Sequence, residues 1–173
     1  MSLARTILLG ALVGAASAAA GRPAGGPWQA LTFERWGGFN YSSPKLPWHV
    51  EPRPGEQWVS VIPARQQALN GQAVRLQGFM VPLDVDKGRV RRLGLVRSLE
   101  ECCSVGSASL NQWVLVDVAP GLKVPDKDGM AVTLYGRLGV GDIEDHRIVL
   151  GIYRLELEAW EPGAPGSHGA KAP

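Results

Sequence analysis

The chain has 173 residues, of which 45% are apolar and 20% charged, and its formal net charge is +2. That length suits one ordinary domain with appendages, and that composition excludes disorder as its general state. A surface so nearly balanced in charge carries no electrostatic footprint for nucleic acid, which is therefore excluded as an expected partner.

The first residues read "MSLARTILLGALVGAASAAAGRP": one basic residue, Arg5, then an apolar run from Ile7 to about Ala16, then small residues. Residues 1–18 have the layout of a secretory signal peptide, with Ala16-Ser17-Ala18 as the cleavage signal. The run is shorter than the roughly 20 residues of a spanning helix, and no cysteine follows it to take a lipid. The expectation is a periplasmic or secreted protein with no membrane span in its mature form.

Residues 19–62 are dense in Pro and Gly and hold Trp28, Trp36, Trp48 and Trp58. Neither a period of 2 nor one of 3.6 persists there, so the segment reads as an extended arm whose indoles pin it to the domain surface. Residues 63–162 form the domain proper. "ARQQALNG" after Pro63 suits about two helical turns ended by Asn70-Gly71.

Strands follow. "AVRLQGFMVPL" places Val74, Leu76, Gly78 and Met80 on one face and Arg75, Gln77, Phe79 and Val81 on the other. The basic run "KGRVRR" from Lys87 reads as a solvated hairpin tip, and "RRLGLVR" begins a second strand. "QWVLVDV" is the third. "AVTLYGRLGV" sets Val132, Leu134, Gly136, Leu138 and Val140 against Thr133, Tyr135 and Arg137. In "IYRLELEAWEP", Tyr153, Leu155, Leu157 and Ala159 face inward while Arg154, Glu156 and Glu158 face water. Five strands with glycine at mid-strand positions 78 and 136 predict an all-β domain, a small OB-like five-stranded barrel, with a small β-sandwich as the alternative. The connection "APGLKVPDKDG" is too rich in Pro and Gly for the helix many such barrels place there. Residues 163–173 read as a flexible tail whose His168 is solvated.

Between the second and third strands stand the chain's two cysteines, adjacent, in "LEECCSVGSASLNQW". Consecutive Cα atoms lie about 3.8 Å apart, so a disulfide between such neighbours closes only with strain and is labile. Three uses remain open. The thiolates of Cys102 and Cys103 can supply half of a tetrahedral soft-metal site for zinc or copper, completed by His146 or by neighbouring carboxylates. They can cycle as a vicinal disulfide, or they can be an inert structural pair. Because successive side chains of an extended strand point apart, a turn is needed for both sulfurs to meet one ion. Asn111 and Glu101 are the residues placed to orient the loop. No catalytic residues are assigned: no G-x-S-x-G precedes a helix, no Gly-rich loop follows a strand, and a Cys102–His146 dyad has no supporting motif.

The succession "IPARQQALNGQAVRLQGFMVPLD", "LGLVRSLEECCSVGSASLNQWVLVDV", "GLKVPDKDGMAVTLYGRLGV" and "YRLELEAWEP" resembles the bacterial exported family known as domain of unknown function 3299, over about Ile62 to Pro162. The strand with Gly78-Phe79 ending in Pro82-Leu83, the loop cysteine Cys102, and the pair Asn111-Gln112 match the family pattern. Where many members carry Cys-x-His and a proline run, this chain has Cys102, Cys103 and Ser104, so a thiolate stands in for an imidazole. The resemblance implies a non-catalytic envelope accessory protein, in some members lipid-anchored or linked with metal transport, and hence an envelope or transporter protein as partner.

Overall fold

The computed structural model describes residues 26–38, 62–99, 110–145 and 148–163. Six strands and two single-turn helices follow in the order β1 (Gln29–Ala30), α1 (Phe33–Trp36), α2 (Ala64–Gln67), β2 (Ala73–Asp86), β3 (Arg89–Val96), β4 (Trp113–Val118), β5 (Ala131–Asp145) and β6 (Ile148–Pro162). The sheet runs β1-β2-β3-β4-β6-β5, and a further β2–β5 pairing joins its ends. The five long strands thus form a ring, with β4 and β6 its parallel neighbours. The expected all-β, OB-like barrel is the architecture found.

Closure depends on β2 serving two partners in succession. Its first half, Ala73 to Phe79, pairs with β5, and its second half, Phe79 to Asp86, pairs with β3. The strand must coil sharply where it changes partner, and Gly78 stands there: a Cβ at that position would lie 2.5 Å from the carbonyl oxygen of Val96. Gly136 on β5 has the same role against the carbonyl of Glu156. At the far end of β2 the Lys87-Gly88 turn has both φ angles positive, 52° and 73°, the geometry of a two-residue hairpin turn.

The alternation read from the sequence orders the interior. Val74, Leu76 and Met80 from β2, Leu93 and Leu95 from β3, Val114 and Val116 from β4, and Leu155 and Leu157 from β6 are buried together. β5 departs from the expectation, since Thr133 and Tyr135 are buried as well as the inward-facing set. The reason is tertiary: Trp28 packs edge-on against Tyr135 with ring centroids 5.7 Å apart, and the Tyr135 hydroxyl donates to the Glu161 carboxylate at 2.5 Å. β5 and β6 also extend past the expected hairpin ends, to Asp145 and back to Ile148.

Of the two helical turns expected after Pro63 one forms as α2, and tighter turns carry the chain on to Gly71, φ 75°, whose N–H donates to the Leu138 carbonyl at 2.7 Å. No helix links β4 to β5, again as expected. The N-terminal arm is where the reading needs correction. Gln29 and Ala30 extend the sheet in parallel beside Val74 and Arg75, and Leu31 and Trp36 lie in the core itself. Trp36 is a core residue because Phe33 and Tyr153 sandwich it from two elements, a contact no local pattern announces. Trp48 and Trp58 lie outside the described residues.

Candidate functional site at the barrel rim

Val96 and Trp113 are cross-strand partners at the end of the β3–β4 pair. The chain therefore leaves the barrel after Val96 and returns to the same place at Trp113, and the intervening residues include Glu101, Cys102 and Cys103. Those three, like His146, lie outside the described residues. Both ends of the segment are described, and both are held.

At the outgoing end, the Arg97 guanidinium stands 4.7 Å from the centroid of the Phe33 ring, a cation–π contact. At the returning end, Asn111 is fully buried and its Nδ2 donates to the Gly37 carbonyl at 2.8 Å. One element therefore pins both ends: the single turn α1 and the Gly37 that closes it. Gly37 is required there by space, because a Cβ would lie 2.8 Å from the Phe33 ring and 3.0 Å from the Asn111 carbonyl oxygen. Asn111 thus ties the residues just before β4 to the turn that closes α1.

α1 is in turn fixed from below. The Trp36 ring meets Phe33 edge-on at 4.9 Å and Tyr153 edge-on at 5.4 Å, and the Tyr153 hydroxyl donates to the Trp36 carbonyl. Burial raises the Tyr153 phenol well above its ordinary value of 10.0, against a smaller opposing pull from the Arg65 charge. The hydroxyl thus remains a hydrogen-bond donor at every physiological pH.

The edge that receives the cysteine segment is also next to the root of the β5–β6 hairpin that carries His146. A Cβ on Gly151 would stand 3.6 Å from the Leu110 carbonyl oxygen and 3.5 Å from the Trp113 indole. Among the described residues no group of three or more His, Cys, Asp or Glu side chains is placed to hold a metal ion.

The other motif residues have architectural roles. Gly78 gives the close crossing, Phe79 pairs with both Val96 and Ala131, and Pro82 lies opposite Leu93 just before a register shift. Leu83, at that shift, is left half exposed. Sequence reasoning did not find Phe33, Gly37 or Arg97, and it placed Tyr153 inward without its bond to Trp36; only the Phe33–Trp36 spacing, one helical turn, hinted at a shared face.

No helix among the described residues is long and apolar enough to cross a membrane. No curated protein matches the chain. Among solved structures, a crystal structure of a DUF3299 family protein from Pseudomonas aeruginosa PAO1 is similar in fold, with a TM-score of 0.55 and 23% identity, covering 80% of this chain and 98% of that one. A family model described as "Protein of unknown function (DUF3299)" matches residues 48–162, which takes in the whole barrel and the cysteine segment, and the chain belongs to that family.

Proposed function

We propose that the protein is an exported, non-catalytic binding module of the bacterial envelope, and that it holds a soft metal ion, zinc or copper(I), through Cys102 and Cys103 for an envelope or transporter partner. The observation that carries this reading is the double anchoring of the cysteine segment, with Arg97 on Phe33 and Asn111 on Gly37. A segment that only connects two strands has no need of a buried amide and a guanidinium to fix where it begins and ends. Ligand-bearing loops mounted on a rigid scaffold do need it. Two adjacent thiolates favour soft ions, and His146, in the neighbouring hairpin connection, is an imidazole able to complete the set. The leader-like residues 1–18 support export.

The test is to recover the processed chain under air-free conditions and measure bound metal together with accessible thiols. Near-stoichiometric zinc or copper with protected thiols is expected, and Cys102→Ser/Cys103→Ser abolishes it. Metal-free protein whose two thiols disappear on mild oxidation without dimer formation replaces this reading with a vicinal-disulfide redox protein. Thiols that react only after denaturation make the pair structural.

A further inference from the structure

The basic run at Lys87 lies at the opposite end of β3 from Arg97, so the rim just described and this tip are separated by an eight-residue strand, about 25 Å. Two turns sit close together at this end, Lys87-Gly88 and residues 119–121, with a groove of about 650 Å³ between them. Val90, Val118 and Leu122 contribute its apolar lining, and Lys87, Arg89 and Arg91 line its hairpin side.

The charges on this hairpin are not balanced. Asp86 pairs with Arg91, and Asp117 is engaged by both Arg92 and Arg154. Asp84 stands opposite Arg92 across the strand pair. Lys87 and Arg89 make no salt bridge among the described residues and both are exposed; Asp86, which stands opposite Arg89, is already paired with Arg91. Apolar side chains accompany them. Of the three large hydrophobic residues that are exposed among those described, two are on this hairpin: Leu83 at 50% and Val85 at 39%. Both continue the outward face of β2 set by Arg75, Gln77, Phe79 and Val81, and a register shift lies between Pro82 and Asp84.

We infer that the β2–β3 hairpin docks the protein on an anionic phospholipid surface. Lys87 and Arg89 meet the headgroup phosphates, and Leu83 and Val85 enter the boundary between headgroups and acyl chains. Charge complementarity selects the occupant: two unpaired cations on an extended tip attract a negative surface, and exposed aliphatic side chains beside them add burial that a small free anion cannot give. Arg and Lys stems can lie along the apolar boundary while their heads stay hydrated. This docking is independent of the Cys102–Cys103 reading, since Val96 and Trp113, where that segment leaves and rejoins the barrel, lie at the other end of β3.

The experiment is co-sedimentation of the processed chain, as recovered after export, with vesicles of phosphatidylglycerol and phosphatidylcholine, against vesicles of phosphatidylcholine alone. Binding is expected only to the anionic vesicles and weakens as salt is raised. Lys87→Gln/Arg89→Gln weakens it about thirty-fold, the loss that two cations near such a surface represent. Leu83→Ser, at an exposed site that the fold does not depend on, weakens it several-fold with an unchanged circular dichroism spectrum. Cys102→Ser/Cys103→Ser binds as the parent does, which separates this result from the fate of the metal reading. Equal binding to both vesicle types, parental binding by Lys87→Gln/Arg89→Gln, or an unaffected Leu83→Ser variant overturns the proposal.

Discussion

Tyr153, near the start of β6, donates its phenolic hydrogen to the backbone carbonyl of Trp36, a residue 117 positions earlier in the chain. The two rings also meet edge-on, so one pair of residues joins the N-terminal segment to the last strand through both a hydrogen bond and an aromatic contact. Tyr153→Phe keeps the ring and leaves a buried carbonyl without its donor, at a cost of about 1–3 kcal/mol. Urea unfolding of the two proteins measures it.

The same phenol sets an alkaline limit. Its pKa is raised in the folded protein above the ordinary 10.0. Below pH 10 the group is protonated in folded and unfolded chains alike and its contribution is intact. Above that, only the unfolded chain ionises, and stability falls as pH climbs toward the folded value. The parent should lose stability above about pH 10 more steeply than Tyr153→Phe, as followed by unfolding midpoints across that range.

Asn111→Ala removes the buried amide from the Gly37 carbonyl. The expected cost is about 1–3 kcal/mol of stability. A second consequence distinguishes anchoring from mere stability: Cys102 and Cys103 should react faster with a thiol reagent under fully folding conditions, and metal affinity should drop. An unchanged labelling rate would show that the cysteine segment does not depend on this bond.

The glycines differ in what they tolerate. Gly136→Ala drives a methyl group into the Glu156 backbone, and Gly78→Ala places one 2.5 Å from the Val96 oxygen. Each should cost about 1–3 kcal/mol or more, because backbone cannot step aside as a side chain can. Gly139→Ala meets the Arg154 oxygen at an ordinary 3.5 Å, and should be neutral or slightly stabilising. Thermal denaturation of the three variants checks the order.

Asp117 bridges Arg92 and Arg154 across three strands, yet both arginines are exposed and Asp117 itself is only partly buried. Asp117→Asn should therefore change stability by less than about 1 kcal/mol, and the difference should shrink in high salt. Unfolding at two ionic strengths measures both.

The barrel was legible because its strands alternate over long stretches: Val74 to Met80 and Tyr153 to Ala159 write their inward faces in period 2. The N-terminal contribution was not legible. β1 is two residues and α1 four, too short for any period, and both exist only because β2 offers an edge and Tyr153 a surface. The burial of Tyr135 was hidden for the same reason, since Trp28 lies more than a hundred residues away. Of the candidate site, the adjacent cysteines and Asn111 could be read directly as chemistry. Phe33, Gly37 and Arg97 could not, because their value lies in where the fold brings them.

β2 pairs with β5 and Trp36 with Tyr153, so ring closure and the seating of α1 wait for the last two strands. Contacts of such sequence separation make folding slow and leave no early half-barrel that could close alone. A chain made from its N-terminus stays open until almost all of it has been synthesised. Under the export proposed above, in which the chain crosses a membrane unfolded, this topology holds back self-closure and leaves barrel assembly to the far side.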